Sequence, residues 1–409
     1  MNYSETKRLP YWRAAVARAL KSFDTPFYIF SPHPYLQSLR LLETELKPLP
    51  LPTRHWLSYK TQPLPALLNW WRHRDGLVEV VSEFELLGVL KMGFNPHQIL
   101  VNGPTKHTWL FRYPIEGLNV NFDSIAEVKY LRKMARQLRW RIGVRFLTAQ
   151  ESDLEGPQYP TQFGVSPEEL PPLLKLIQRD KLQLKIVHFH LRTNVSRVDT
   201  YFKALDEVRT ICQSHGITPE YLDCGGGLPP GFVTNHHGQH YNRDFNLEQW
   251  REMLKRILGT WEGLRELWFE NGRFLSAGAG VLVGRVNDVK QRRGMRHLIC
   301  DAGRTNHALV GTWEDHEMLV HPRRTGPETM TTISGPTCMA FDRLARRSFP
   351  TSIRQGDALV WLDAGAYHLS WENHFSHGLA RVLWFQDDDL ICVREPETFA
   401  QSWSRWNEV

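Results

Sequence analysis

The sequence predicts a (β/α)8 barrel followed by a β-rich C-terminal domain, and three observations predict it. Between residues 55 and 270, eight short apolar segments alternate with amphipathic helical patterns. After about residue 275 that alternation stops, and strand-like runs follow one another with almost no helical period between most of them. Residues able to carry chemistry fall at the C-terminal ends of the apolar segments, which in a barrel form one face.

The run 26–30 comes first and reads as a strand that joins the C-terminal sheet. The barrel strands are expected at 55–60, 77–82, 99–103, 118–123, 140–146, 184–191, 221–227 and 266–270. Helical patterns lie between them at 65–72, 83–92, 125–138, 167–177, 198–214 and 247–258. Ser82 stands three residues before Glu85, and Ser166 precedes Pro167 with Glu168 and Glu169 behind it; both are helix-start signals. Further strands are expected at 281–289, 297–301, 358–362 and 380–385. The expected domains are an N-terminal segment, 1–32, that joins the β-domain; the barrel, 33–275; and the β-domain, 276–409. An open doubly wound sheet would show a similar alternation.

Composition excludes several classes. Of 409 residues, 42% are hydrophobic and 23% charged, which is the balance of a folded globular protein. The net charge of +6 favours anionic ligands but is too diffuse for nucleic acid, and the basic runs 132–136 and 291–296 read as solvated faces. The cysteines Cys212, Cys224, Cys300, Cys338 and Cys392 are odd in number and unpaired in spacing, which argues against a disulfide framework or a zinc site. His236, His237 and His240 lack a carboxylate or cysteine at ligand spacing and read as a polar loop, so no metal is expected. The N-terminus has no signal-type apolar stretch and no run approaches a membrane span, which points to the cytoplasm and to no membrane partner. The acidic stretch 147–162, with Pro157 and Pro160, is long enough for a lid or a disordered loop.

The candidate residues share the barrel face. Lys60 ends the first expected strand, Arg145 closes the fifth, His190 falls near the end of the sixth, Gly225-Gly226-Gly227 ends the seventh and Glu270 the eighth. A lysine at a barrel mouth beside other cations has a lowered pKa and can form a Schiff base; elsewhere it would be an exposed cation. Three glycines present backbone N–H groups to a phosphate, or form a tight turn. His190 can stack on a planar ring or fill a core. Glu270 and Arg273, three residues apart, make a plain salt bridge or a split pair, the acid on a pyridine nitrogen and the arginine on a phosphate.

In this order the residues resemble the fold-type III pyridoxal-phosphate decarboxylases, the family of ornithine and diaminopimelate decarboxylases, whose barrel is alanine racemase-like. The similarity runs from Thr25-Pro26-Phe27-Tyr28 to Asp363-Ala364-Gly365-Ala366-Tyr367. Tyr59-Lys60-Thr61-Gln62-Pro63, Glu79-Val80-Val81-Ser82 with Glu85, His188-Phe189-His190-Leu191-Arg192-Thr193 and Gly335-Pro336-Thr337-Cys338 are similar to its motifs. The resemblance implies pyridoxal 5'-phosphate as cofactor, held by Lys60, Arg145, His190, Thr193, Gly225, Gly226, Gly227, Glu270, Gly272, Arg273 and Tyr367. It implies a homodimer with shared active sites, Cys338 crossing to the partner's site, and Asp301, Met339, Arg192 and Phe375 on the substrate side. Under it, Lys60, Glu270, His190 and Cys338 are catalytic. Substrate amine displaces Lys60 from its Schiff base, Glu270 keeps the ring nitrogen protonated, Cys338 returns a proton to Cα, and 147–162 closes over the site.

The chain also departs from the family pattern. Met339 stands where ornithine-type members carry aspartate and diaminopimelate-type members glutamate; it cannot pair a distal ammonium. Arg192 replaces a small glycine, and Asn271 replaces a proline. Met339 and Arg192 suggest an amino-acid conjugate in a siderophore or other secondary-metabolite pathway as substrate. A free basic amino acid (ornithine, lysine or diaminopimelate) is the alternative. A racemase is disfavoured by Glu270, and a non-catalytic regulatory homologue by the presence of Lys60 and Cys338.

Overall fold

The computed structural model describes residues 5–151, 161–310 and 312–407. In chain order the strands are β1 (Phe27–Phe30), β2 (Thr53–Ser58), β3 (Leu77–Val80), β4 (Ile99–Val101), β5 (Asn119–Phe122), β6 (Arg141–Arg145), β7 (Leu184–His188) and β8 (Tyr221–Asp223). They continue as β9 (Thr234–Asn235), β10 (Glu266–Asn271), β11 (Gly280–Arg292), β12 (Met295–Cys300), β13 (Glu314–Asp315) and β14 (Met318–His321). The last are β15 (Glu328–Ser334), β16 (Arg343–Pro350), β17 (Ala358–Trp361), β18 (Arg381–Gln386) and β19 (Asp389–Arg394). The chain forms two compact units, one of Leu42–Pro229 with Asn242–Gly272, the other of Met1–Leu41, Pro230–Tyr241 and Arg273–Val409.

The first unit is a closed parallel barrel in the order β10-β2-β3-β4-β5-β6-β7-β8. Its strands are buried on both faces, so they read as short apolar runs, and Trp56, Leu100, Ile186 and Trp268 pack together in its interior. The strands generally stop short of the apolar runs. β2 ends at Ser58 rather than Lys60, β7 at His188 rather than Leu191, and β8 at Asp223 rather than Gly227, whereas β10 reaches Asn271. Pairing lapses where the chain turns outward at the rim, yet Phe189 and Leu191 stay fully buried and so prolong the apolar signal. Lys60, His190 and the glycines therefore sit just past the ladder, not in it.

The helices Pro65–Arg72, Val198–Ser214 and Leu247–Leu258 occupy their expected spans. Ser82 and Ser124 each cap a helix by accepting the N–H three residues on, from Glu85 and Glu127. The helix expected from Pro167 begins instead at Leu170. Pro171 and Pro172 explain the shift, because residues without an N–H are tolerated in a first turn and disrupt a later one. Residues 167–169 form a turn closed by Glu169 N–H on Ser166 O at 3.1 Å. Beneath the rim, Lys106 and Glu127 form a fully buried ion pair at 2.7 Å. Glu127 also accepts the N–H groups of Lys106 and Asp123, which fixes the turns after β4 and β5.

The second unit holds a nine-stranded sheet in the order β16-β15-β12-β11-β1-β18-β19, with β17 pairing β11 and β14. The N-terminal strand does join it: β1 runs antiparallel to β11 (Tyr28 opposite Leu282) and parallel to β18 (Tyr28 opposite Val382). The sequence reading missed the helix Glu5–Ala19. Its Trp12, Ala15, Val16 and Ala19, one helical stripe, bury against Phe27, Ile29, Val281 and Val283. The 234–241 loop contributes β9, which pairs with β13 in this unit. Among the described residues no helix is long and apolar enough to cross a membrane. Residues 152–160 of the expected lid lie outside the described residues.

Candidate active site

Past Ser58 the chain makes a single turn of 3-10 helix, Tyr59–Thr61, that turns Lys60 onto the barrel rim. Lys60 Nζ donates to both oxygens of Glu79, at 2.9 and 2.7 Å. Glu79 is the inward residue of β3 and is buried, while Lys60 is about one-third exposed. The lysine is thus reachable from outside, with a carboxylate behind it.

A ring of polar side chains lies beside this pair. Asn102 Nδ2 donates to Glu270 and, at 3.4 Å, to Glu79; Asn121 Nδ2 donates to Asn102 Oδ1 at 3.0 Å and to Asp223 Oδ2 at 2.9 Å. His188 Nε2 lies 3.2 Å from Glu270 Oε1, and His190 Nδ1 lies 3.3 Å from Glu270 Oε2. Burial opposes the charge on Glu270, but His188, His190 and Lys60 outweigh it and hold the carboxyl below the usual carboxylate range. Burial, reinforced by the charge of Glu270, pushes Asp223 well above that range. Burial also lowers His188 to about 3. At neutral pH the arrangement is one carboxylate, Glu270, facing one carboxylic acid, Asp223.

The glycine turn packs into this layer too closely for any side chain. A Cβ on Gly225 (φ +61°) would stand 2.6 Å from Phe189 O, and one on Gly226 would stand 2.5 Å from Glu270 O. Gly226 N–H points to His190 Nδ1 at 3.2 Å, and the His190 side chain is nearly one-third exposed above it. Val195 N–H bonds Gly227 O at 2.8 Å, tying the loop that carries half-buried Thr193 to the glycines. Arg192 in that loop is exposed.

Arg145, at the end of β6, is paired with Glu151, lies 4.0 Å from Asp123 and stacks 4.7 Å over Phe163. Burial pushes Glu85 up to about 7, against the N–H of Val81, which its Oε2 accepts at 2.7 Å.

The remaining expected residues belong to the second unit, apart from Gly272, where a Cβ would stand 2.4 Å from Thr61 Oγ1. Arg273 is buried, paired with Glu314, and lies 4.8 Å over the ring of Tyr367. Tyr367 adopts φ +66°, a left-handed conformation that costs a non-glycine residue about 1 kcal/mol or more. Cys338 is exposed at the tip of a turn held by buried Asp342, which accepts the N–H groups of Arg304 (2.7 Å) and Thr337 (3.1 Å) and the Thr337 hydroxyl (2.6 Å). Met339 is half-buried and Phe375 is exposed. Asp301 is committed to the fold: its carboxylate accepts from Thr25 Oγ1 and, at 2.7 Å, from Arg285 N–H.

Residues 41–277 match the family described as pyridoxal-dependent decarboxylase, pyridoxal binding domain. The chain belongs to that family. It is 23% identical to the diaminopimelate decarboxylase of Staphylococcus aureus over 95% of this chain and 94% of the relative. Against that of Pseudomonas aeruginosa it is 26% identical over 94% and 93%. The fold is shared with Helicobacter pylori diaminopimelate decarboxylase complexed with L-lysine (TM-score 0.82, 20% identity, 96% and 99% covered). It is shared also with Vibrio vulnificus lysine/ornithine decarboxylase complexed with cadaverine (TM-score 0.75, 18% identity, 91% and 94% covered). The decarboxylase uses pyridoxal phosphate and acts on an amino acid. Its barrel fits that cofactor: a glycine turn no Cβ could enter, an anionic Glu270, an open His190 ring and a reachable lysine.

Sequence reasoning passed over Asn102 and Asn121 and gave Glu79, His188 and Asp223 no role. The available signal was a polar residue inside a short strand buried on both faces, as in Leu-Val-Glu-Val (77–80) and Asn-Val-Asn-Phe (119–122). Such a residue needs a partner inside the barrel.

Proposed function

We propose that the enzyme removes the α-carboxylate of a free basic amino acid of the diaminopimelate, lysine or ornithine class. The Lys60–Glu79 pair beside ionised Glu270 on one barrel rim carries the reading, and the relatives named above favour this substrate class. When bound, the cofactor supplies an electron sink for the pair left by departing carbon dioxide. Lys60 is the amine that holds it. Glu79, 2.7 Å from Nζ, receives and returns the Nζ proton. Glu270, fixed by Asn102, is the anion suited to a protonated pyridine nitrogen. His190 offers a ring to stack on it, and the turn Gly225-Gly226-Gly227 offers a backbone free of side chains to its phosphate, with Thr193 and Gly272 as further ligands and Arg145 beside them. Asp301 is spoken for by Thr25 and Arg285, so we assign it no part in reading the substrate's distal amine. A second reading, an anionic or conjugated substrate of a siderophore-type pathway, rests on Met339 and exposed Arg192.

The two readings separate by product analysis with meso-diaminopimelate, lysine, ornithine and citrate-conjugated amino acids. Turnover of a free basic amino acid with kcat/KM of about 10⁴ M⁻¹s⁻¹ or more is the expected result. Turnover of conjugates alone would reject it.

Cys338 is proposed to protonate Cα in the partner's site of a homodimer, a reading supported by its exposure on a turn braced by Asp342. Mixing Lys60→Ala with Cys338→Ala protein, each inactive alone, then restores about a quarter of wild-type activity, since half the dimers are mixed and each mixed dimer holds one intact site. No recovery after subunit exchange would show each site to be built within one chain.

Gly226→Ala is expected to loosen the cofactor about tenfold or more, because the new methyl displaces the backbone of Glu270. Titration of the apoenzyme followed by visible absorbance reads this directly.

A further inference from the structure

The second unit contains a group of side chains that the decarboxylation chemistry does not use. His307, His316 and His368 are wholly or almost wholly buried, and their ring centres lie 4.9, 4.3 and 5.4 Å apart. They come from separate segments, which is why spacing in the sequence revealed no ligand set. A carbonyl oxygen can only accept, so two tautomers are fixed: His316 Nδ1–H donates to Leu362 O at 2.7 Å, and His368 Nδ1–H donates to Ala366 O at 2.9 Å. Both rings then turn Nε2 inward. His316 Nε2 meets Glu314 Oε2 at 3.1 Å, and His368 Nε2 meets His307 Nδ1 at 2.6 Å. Glu314 is ionic, its other oxygen being held by Arg273. The ligand atoms of the three histidines all lie within 4.8 Å of one another. His307 Nε2 meets no partner among the described residues, so nothing else fixes that ring's tautomer.

We propose that these three histidines, His307, His316 and His368, form a structural site for a divalent transition metal of the zinc class, with the Glu314 carboxylate beside His316. Three imidazoles bound about 2.0–2.1 Å from a tetrahedral ion have ring centres roughly 5 Å apart, the spacing found here. Ligand atoms on such an ion stand about 3.3 Å apart, and binding opens the His307–His368 contact from 2.6 Å to that value. The donation of both Nδ1–H groups to backbone carbonyls is the outer-shell pattern that orients metal-binding histidines. The cofactor needs no metal; the ion ties together the segments carrying His307, His316 and His368, and Tyr367 is the neighbour of His368.

The holoenzyme, purified without a polyhistidine tag, is expected to carry about one zinc-class ion per chain by elemental analysis. After chelation, cobalt(II) should restore binding with the intense long-wavelength bands of a tetrahedral site, saturating at about one equivalent. His316→Gln and His307→Ala should each lower metal content to about a tenth or less while a visible cofactor band remains. Absence of both isolated metal and a tetrahedral cobalt spectrum in the wild-type protein overturns the proposal and leaves a proton between His316 and Glu314. Full metal content in folded variants places the ion elsewhere and overturns it equally. Should the variants fail to fold, the wild-type cobalt titration alone decides.

Discussion

Lys60→Ala protein should reconstitute colourless and release carbon dioxide about 10⁴-fold or more slowly than the wild type. Lys60 Nζ is an amine both reachable from outside and backed by a carboxylate, Glu79, at 2.7 Å. The other lysine beneath the rim, Lys106, is fully buried against Glu127 and cannot substitute. Removing Lys60 also leaves Glu79 buried without its cation, so a fall in activity could reflect a disturbed fold. Lys60→Arg separates the two causes, because a guanidinium retains the pair with Glu79 but cannot bond to the cofactor's aldehyde. The arginine variant should melt near the wild-type temperature and still be inactive and colourless. A persistent visible band in either variant would mean that another amine carries the cofactor.

Glu270→Gln should retain the cofactor and its colour while kcat falls about 10²–10⁴-fold. The substitution preserves shape and the oxygen that accepts from Asn102, and removes only the charge. Its logic lies in the two buried acids. Glu270 is held ionised by His188, His190 and Lys60 against its burial, whereas Asp223 is kept protonated by burial and by Glu270. Burial, the larger cause of the shift in Asp223, persists in the variant, and the expected result is that no second anion takes over the role. Cofactor occupancy from absorbance and kcat from carbon dioxide release must therefore separate. A kcat within twofold of wild type at full occupancy would remove Glu270 from the chemistry.

The two-part architecture, the barrel helix opened by Ser82, and the face on which Lys60, His190, Gly225 and Glu270 meet were legible in the sequence. These features are local: a period of apolar residues, a capping serine or a glycine turn is written in a few consecutive positions. The helix Glu5–Ala19 escaped because its apolar stripe is interrupted by Pro10 and charged residues and gains its burial from β1 and β11. Strand ends were misplaced because Phe189 and Leu191 stay buried after pairing has stopped.

Only the tertiary structure decided which polar residues act together. Barrel closure brings Asn102, just past β4, and Asn121, Asp223 and Glu270, from three further strands, into one hydrogen-bonded layer, and it is that layer that splits the charge between the two acids. In the second unit, folding brings together histidines up to 61 residues apart. Charge states in a dry interior depend on distances across the fold, and such distances have no counterpart in the spacing of residues along a chain.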